Sequence, residues 1–224
     1  MKDEVTSLKS EIEDLKLSHN SEVDTLRTEV NGLKKDLQIL REELDNENQY
    51  ERRDTLIFSG KVVPPHDPNE NCSAIIQDII KQKLRISGIR QEDMSVSHRL
   101  GSKPRQQGQD TRPIIVKFCR RDVKYSIRHS CRSLRPKDLF VNESLTPVRN
   151  QIFKTLRYIR KQHNDIVTGC GTSDGKIFAY TKSSPTTAEG AGDKRHCINT
   201  MEALKQFCRM YVKQPIDNFL NNLS

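Results

Sequence analysis

The chain has few apolar residues and no long run of them. Only 33% of its 224 residues are hydrophobic, which argues against one large core and for one or two modest domains beside an extended segment. Apolar runs such as Ile114-Ile115-Val116 fall far short of a membrane span. The charged start Met1-Lys2-Asp3-Glu4 does not read as a signal peptide, so a soluble intracellular protein is expected. The six cysteines form no Cys-x-x-Cys pair and no regular framework, which speaks against a disulfide scaffold or a zinc module. The short spacings His129-Ser130-Cys131 and His196-Cys197 keep a metal reading in view, but free thiols are the simpler one, and no metal or cofactor is expected.

Catalytic motifs are lacking as well. There is no Walker-type phosphate loop and no His-Glu-x-x-His helix, and "GCGTSDG" has neither the helix nor the spacing of a dinucleotide fingerprint. Asp54, Asp122 and Asp174 are too scattered to gather around two metal ions. The chain is not expected to be an enzyme.

What it does have is charge, unevenly placed. Residues 1–50 hold 7 Lys+Arg against 13 Asp+Glu, net −6, and residues 51–224 hold 31 against 17, net +14. The basic part is the candidate for binding a polyanion.

In the acidic part, Val5, Leu8, Ile12 and Leu15, then Val23, Leu26, Val30, Leu33, Leu37, Leu40 and Leu44, follow steps of three and four. This is a heptad seam. The eleven residues from Ile12 to Val23 put the two blocks out of phase, which predicts a stutter around His19. Glu4/Lys9, Glu11/Lys16, Glu22/Arg27, Glu29/Lys34 and Asp36/Arg41 set an acid at g against a base at the next e, so a parallel, in-register homo-oligomer satisfies all five. Val or Ile at a with Leu at d favours two strands, while His19 and the stutter act on that preference, and oligomer number stays open.

From "ERRDTLIFSG" onward the pattern changes. Thr55–Ser59 reads as a strand and 73–85 as a helix with Ile75, Ile76, Ile79, Ile80 and Leu84 on one side. "MSVSHRLG" reads as a second strand, 102–110 as a polar loop and Pro113–Phe118 as a third strand. A helix follows with Val123, Ile127, Cys131 and Leu134 as its core stripe, and "DLFVNES" supplies a fourth strand. The order strand, helix, strand, strand, helix, strand is that of ferredoxin-like domains, which include the RNA-recognition fold.

Beside the core stripe of that second helix, Arg121, Lys124, Arg128, Arg132 and Arg135 occupy the adjoining arc. Between Lys117 and Lys137 the sole carboxylate is Asp122. Like charges at this spacing repel unless a polyanion neutralises them, so they are expected to reach phosphates. The third strand carries Pro113 and Ile115 where an RNA-recognition fold stacks bases on aromatics, and base stacking on the sheet is not expected.

In the last third, Thr146 reads as an N-cap and Pro147 as the first residue of a helix that buries Val148, Ile152, Leu156 and Ile159. Lys154, Arg157, Arg160 and Lys161 make its other side basic. Asp174-Gly175 predicts a hairpin between Ile166–Val167 and Lys176–Tyr180, and 181–195 reads as a mobile loop. The last helix is expected to start near Asn199 and to bury Met201, Leu204, Cys208 and Tyr211.

Heptads, "RRDTLIFSG", "SHRLG", "RPIIVKF", "SIRHSCRSL", "NESLTP" and "DGKIF", in this order, resemble the first-open-reading-frame protein of LINE-type retrotransposons. The resemblance spans nearly the whole chain, although the sequence begins almost at the heptads, where some relatives have a longer tail. It implies a homotrimeric coiled coil, an RNA-recognition-like domain and a basic C-terminal domain, with RNA in the cleft between the last two. The implied activity is binding of RNA and single-stranded nucleic acid as a nucleic-acid chaperone. The implied place is cytoplasmic ribonucleoprotein particles, with nuclear entry left open. It also implies basic contacts at Arg53, Arg99, Arg112 and Arg128, with Lys154 where relatives carry arginine.

The expectation is therefore an α+β protein with a parallel coiled coil over 1–48, a ferredoxin-like, RNA-recognition-like domain over 51–141, a small basic α/β domain over 142–212 and a tail over 213–224. Nucleic acid is assigned to Arg53, Arg99, Arg112, Lys117, Arg121, Lys124, Arg128, Arg132, Arg135, Lys154 and Arg157, and oligomerisation to the Val23–Leu44 seam. The partners are RNA, single-stranded nucleic acid and further copies of the chain, with no membrane and no small-molecule substrate. The competing reading is a coiled-coil adaptor whose basic domains dock acidic proteins.

Overall fold

The computed structural model describes residues 2–101, 111–182 and 193–220, and its class is mixed α+β. The expected loop 102–110 lies outside the described residues, as does the 183–192 part of the expected loop 181–195. Contacts divide the chain into two units, Met1–Asn46 and Glu47–Ser224.

From Lys2 on, the first unit is helical and belongs to α1 (Lys2–Glu51). Its seam leucines stand out from the single chain, with Leu26 57%, Leu33 67% and Leu40 63% exposed. No helix among the described residues is long and apolar enough to cross a membrane.

The second unit contains two antiparallel sheets. The first is built from β1 (Thr55–Ser59), α2 (Cys72–Leu84), β2 (Met94–Arg99), β3 (Ile114–Phe118), α3 (Arg121–Leu134) and β4 (Phe140–Glu143), with strand order β2-β3-β1-β4. Alternation along the strands decides its faces. Leu56, Phe58, Ile114, Val116 and Phe118 point to one side and form a core with Ile76, Ile79 and Ile80 of α2 and Val123 and Ile127 of α3. On the other side the register sets His98 opposite Ile115, Ile115 opposite Ile57 and Ile57 opposite Asn142. Asn71 caps α2, its side chain accepting from the Ala74 N–H. The α3 stripe is shorter than expected: Val123 and Ile127 are buried and Cys131 partly so, but Leu134 at the fraying end is exposed.

The second sheet, order β5-β6-β7, comprises β5 (Val167–Ser173), β6 (Lys176–Thr181) and β7 (Lys194–Cys197) and packs on α4 (Pro147–Gln162) and α5 (Met201–Phe207). Thr146 caps α4 by accepting from the Arg149 N–H, with Pro147 in the first turn. Ile152, Leu156 and Ile159 enter the core with Val167, Ile177, Leu204 and Phe207. Val148 is exposed instead, and Arg149 and Thr155 are the buried neighbours. At the hairpin, Asp174 (φ 52) and Gly175 (φ 74) are both left-handed, as a two-residue type I′ turn requires.

Two expectations are corrected here. Lys194–Cys197 is a strand and not part of a loop, held by pairing with β6, and nothing in the polar "KRHC" announces it. The helix expected to start near Asn199 is capped by Thr200, one residue on, while the Asn199 side chain accepts from the Ile177 N–H. Part of the supposed tail is α6 (Asp217–Leu220), whose buried Phe219 meets Tyr158 and His163 edge-on.

Candidate nucleic-acid interface

The outward row of the first sheet and one face of α4 form a groove of about 330 Å³. Its floor is Ile57, Ile115 and Asn142. Its wall is Asn150, Phe153, Lys154 and Arg157, which at i, i+3, i+4 and i+7 share one side of the helix. Arg52 also lines the groove. Lys117 lies on the same sheet face, directly opposite Thr55, and is exposed. Among the described residues, Lys117, Lys154 and Arg157 have no carboxylate partner.

The two sheets are joined at the turn of the β5–β6 hairpin. Glu143, at the end of β4, accepts the Asp174 N–H at 2.9 Å and the Gly175 N–H at 3.2 Å. Lys124 is 1% exposed; its Nζ donates to the Arg53 carbonyl and lies 3.1 Å from Glu143 and 2.9 Å from Asp174. The Tyr125 hydroxyl donates to Asp174 at 2.9 Å, and Arg149 donates to the Gly175 carbonyl at 2.9 Å. Gln49 donates to the Ser144 carbonyl and accepts the Thr146 N–H, both at 2.9 Å. A Cβ on Gly175 would lie 2.5 Å from the buried Gln49 side chain, so glycine is required by space as well as by φ. Burial works against ionisation of Glu143, but Lys124, Arg128 and the Gly175 N–H outweigh it and hold the carboxyl below its ordinary value. Asp174 is held low against burial by Lys124 and Tyr125. The groove thus stands between elements fixed by buried, charge-assisted bonds.

The eleven basic residues expected to meet nucleic acid do not share one surface. Lys154 and Arg157 are in the groove wall and Lys117 on the open sheet face. Arg53 stacks on Tyr50 at 3.4 Å and pairs with Asp54 at 3.3 Å. Arg121 is exposed and reaches Asp54 at 3.3 Å. Arg112 donates to the Gly101 carbonyl at 2.6 Å.

The expected continuous stripe on α3 is corrected by the structure. Lys124 is buried in the hairpin junction because it lies about 100° from Val123 around the helix, bordering the core stripe, with two carboxylates beside it. Arg128 is half-buried and donates to the carbonyls of Val141 at 3.3 Å and Thr172 at 2.9 Å. Burial lowers its pKa. Arg132 and Arg135 are exposed, the first with a long 3.4 Å bond to Thr172 and the second as the left-handed C-cap of α3.

Arg99 is also corrected from a displayed contact to an internal one. It is 9% exposed, forks onto Glu70 at 2.8 and 2.6 Å, and donates to the carbonyls of Pro64 and Arg112. The Arg99 bond holds the Glu70 carboxyl at about 2, with help from His66, against an ordinary value of 4.5. Because the folded pKa is depressed, the stabilisation is complete above pH 4.5 and is lost as pH falls towards 2. Urea unfolding between pH 6 and 2.5 is expected to show a steep acid limb that flattens in Glu70→Gln; equal acid limbs in the two proteins would remove Glu70 from this role.

Arg52, Asn142, Asn150 and Phe153 are the groove residues that charge counting misses. The i, i+3, i+4, i+7 spacing on α4 was the available signal, but only with the sheet in place does it select the face that lines a groove. Among the described residues, no group of three or more His, Cys, Asp or Glu is placed to hold a metal ion. No protein-family model matches the sequence, and no curated protein matches it.

Proposed function

We propose that the chain is an oligomeric RNA and single-stranded nucleic-acid-binding protein of low sequence specificity, acting as a nucleic-acid chaperone in a LINE-type retrotransposon ribonucleoprotein particle in the cytoplasm. On this reading α1 forms a parallel coiled coil, trimeric as the resemblance implies. The β2-β3-β1-β4 sheet with α2 and α3 on one face supports a ferredoxin-like, RNA-recognition-like domain. The α4–β7 region is its basic companion.

The observation that carries the reading is the groove, where Lys154 and Arg157 make no ion pair among the described residues and stand beside an open sheet face, the Glu143 carboxylate in the same lining being paired with Lys124. Cations left uncompensated on a concave surface suit a flexible polyanion, and a groove of this size admits a single strand more readily than a duplex. Binding proceeds through phosphate contacts and counterion release, and copies joined by the coiled coil act together on one strand.

The test is fluorescence anisotropy of a labelled single-stranded RNA over a salt series, with the oligomeric state followed by light scattering. Lys154→Ala with Arg157→Ala is expected to weaken binding and to reduce the salt slope by about 1.4, at about 0.7 per phosphate contact on a single strand. Weak binding with a flat salt response in the parent protein would reject the proposal in favour of the adaptor.

A further inference from the structure

We infer that the groove is a nucleobase subsite, in which an unpaired base lies against Phe153 over the Ile57–Ile115 floor while Lys154 and Arg157 hold the neighbouring phosphates. This rests on the nucleic-acid reading and adds where the base goes. A surface built for phosphates alone has no use for an apolar floor. Ile57 and Ile115 face away from the α2–α3 core, directly opposite each other, and are only partly covered. Leaving them to water has a cost, because burial of apolar area stabilises by about 25 cal/mol per Å².

The polar groups around that floor suit the edge of a base. Asn142 stands beside Ile57 on β4 and Asn150 stands on the helix wall, both exposed. Among the described residues neither side-chain amide has a hydrogen-bond partner. An amide offers a donor and an acceptor together and can turn to meet any base. Two amides in the lining of a groove that also holds an aromatic side chain therefore supply base contact with weak sequence preference. The volume of about 330 Å³ is at the lower end of sites for small planar ligands, about 300–1,000 Å³. The aromatic missing from the third strand is thus replaced from the helix opposite.

The test uses the full chain and two probes of equal length and charge: oligouridylate and the same ribose-phosphate chain without bases. The parent protein is expected to bind oligouridylate at least roughly tenfold more tightly, the lower part of the range for one stacked base. Phe153→Leu is expected to abolish that preference and Phe153→Tyr to retain it; a Phe153→Leu protein that keeps the preference overturns the base subsite. Phe153 also touches the second core, so the exposed Asn150→Ala is the companion variant. It is expected to reduce the preference in a protein of unchanged unfolding midpoint. Equal binding of both probes by the parent overturns the base subsite and leaves the phosphate reading standing. Failure of both probes to bind overturns both.

Discussion

Lys124→Met is expected to lower the unfolding free energy by about 3–5 kcal/mol, the usual cost of removing one partner from a buried ion pair. The lysine is 1% exposed and faces Glu143, Asp174 and the Arg53 carbonyl. Methionine fills much of the space but leaves two carboxylates without their cation. Glu143→Gln in the same background is expected to recover part of the loss, since an amide removes the unpaired charge and keeps an oxygen acceptor at the hairpin turn. Urea unfolding of the four proteins of this cycle measures both effects, and a Lys124→Met protein within about 1 kcal/mol of the parent would show the junction to be slack.

On the proposed nucleic-acid reading, the same variant separates two roles for Lys124. As a positioning residue it changes affinity without changing the number of ions released. A residue that itself meets a phosphate lowers the salt slope by about 0.7 when removed. An unchanged slope is expected, and a reduced one would mean that Lys124 leaves the junction in the complex.

If α1 forms the proposed coiled coil, Leu33→Asp with Leu37→Asp is expected to leave the chain monomeric. These are consecutive d and a positions, 67% and 46% exposed in the single chain, and aspartates there would place repelling charges along the proposed coiled-coil seam. On the proposed nucleic-acid reading, multi-site engagement of a long RNA disappears with the oligomer, so affinity for it is expected to fall by about 10²- to 10⁴-fold, while a short oligonucleotide that spans one groove is little affected. Light scattering and anisotropy with a long and a short RNA read both outcomes. A double variant that remains oligomeric would place the interface elsewhere.

Local order was legible because it is written in neighbours. The Thr146-Pro147 start of α4, the Asp174-Gly175 turn and the short apolar runs of β1 and β3 each depend on residues a few positions apart. β7 was not legible: "KRHC" has no alternation, and its strand conformation comes from pairing with β6. The basic residues divide in the same way. Charge counting treats Lys124, Arg99 and Lys154 alike, but Glu70 and Glu143 decide which of them face inward, and neither acid is near its partner in the chain.

By itself the sequence determined a long heptad helix, an α+β remainder and the concentration of positive charge after residue 50, since periodicity and composition are properties of the chain alone. Tertiary structure decided which cations are displayed and which are internal bonds, and it made a groove from two isoleucines on strands and an aromatic on a helix. Burial and pairing between distant segments set those outcomes, and no local pattern encodes them.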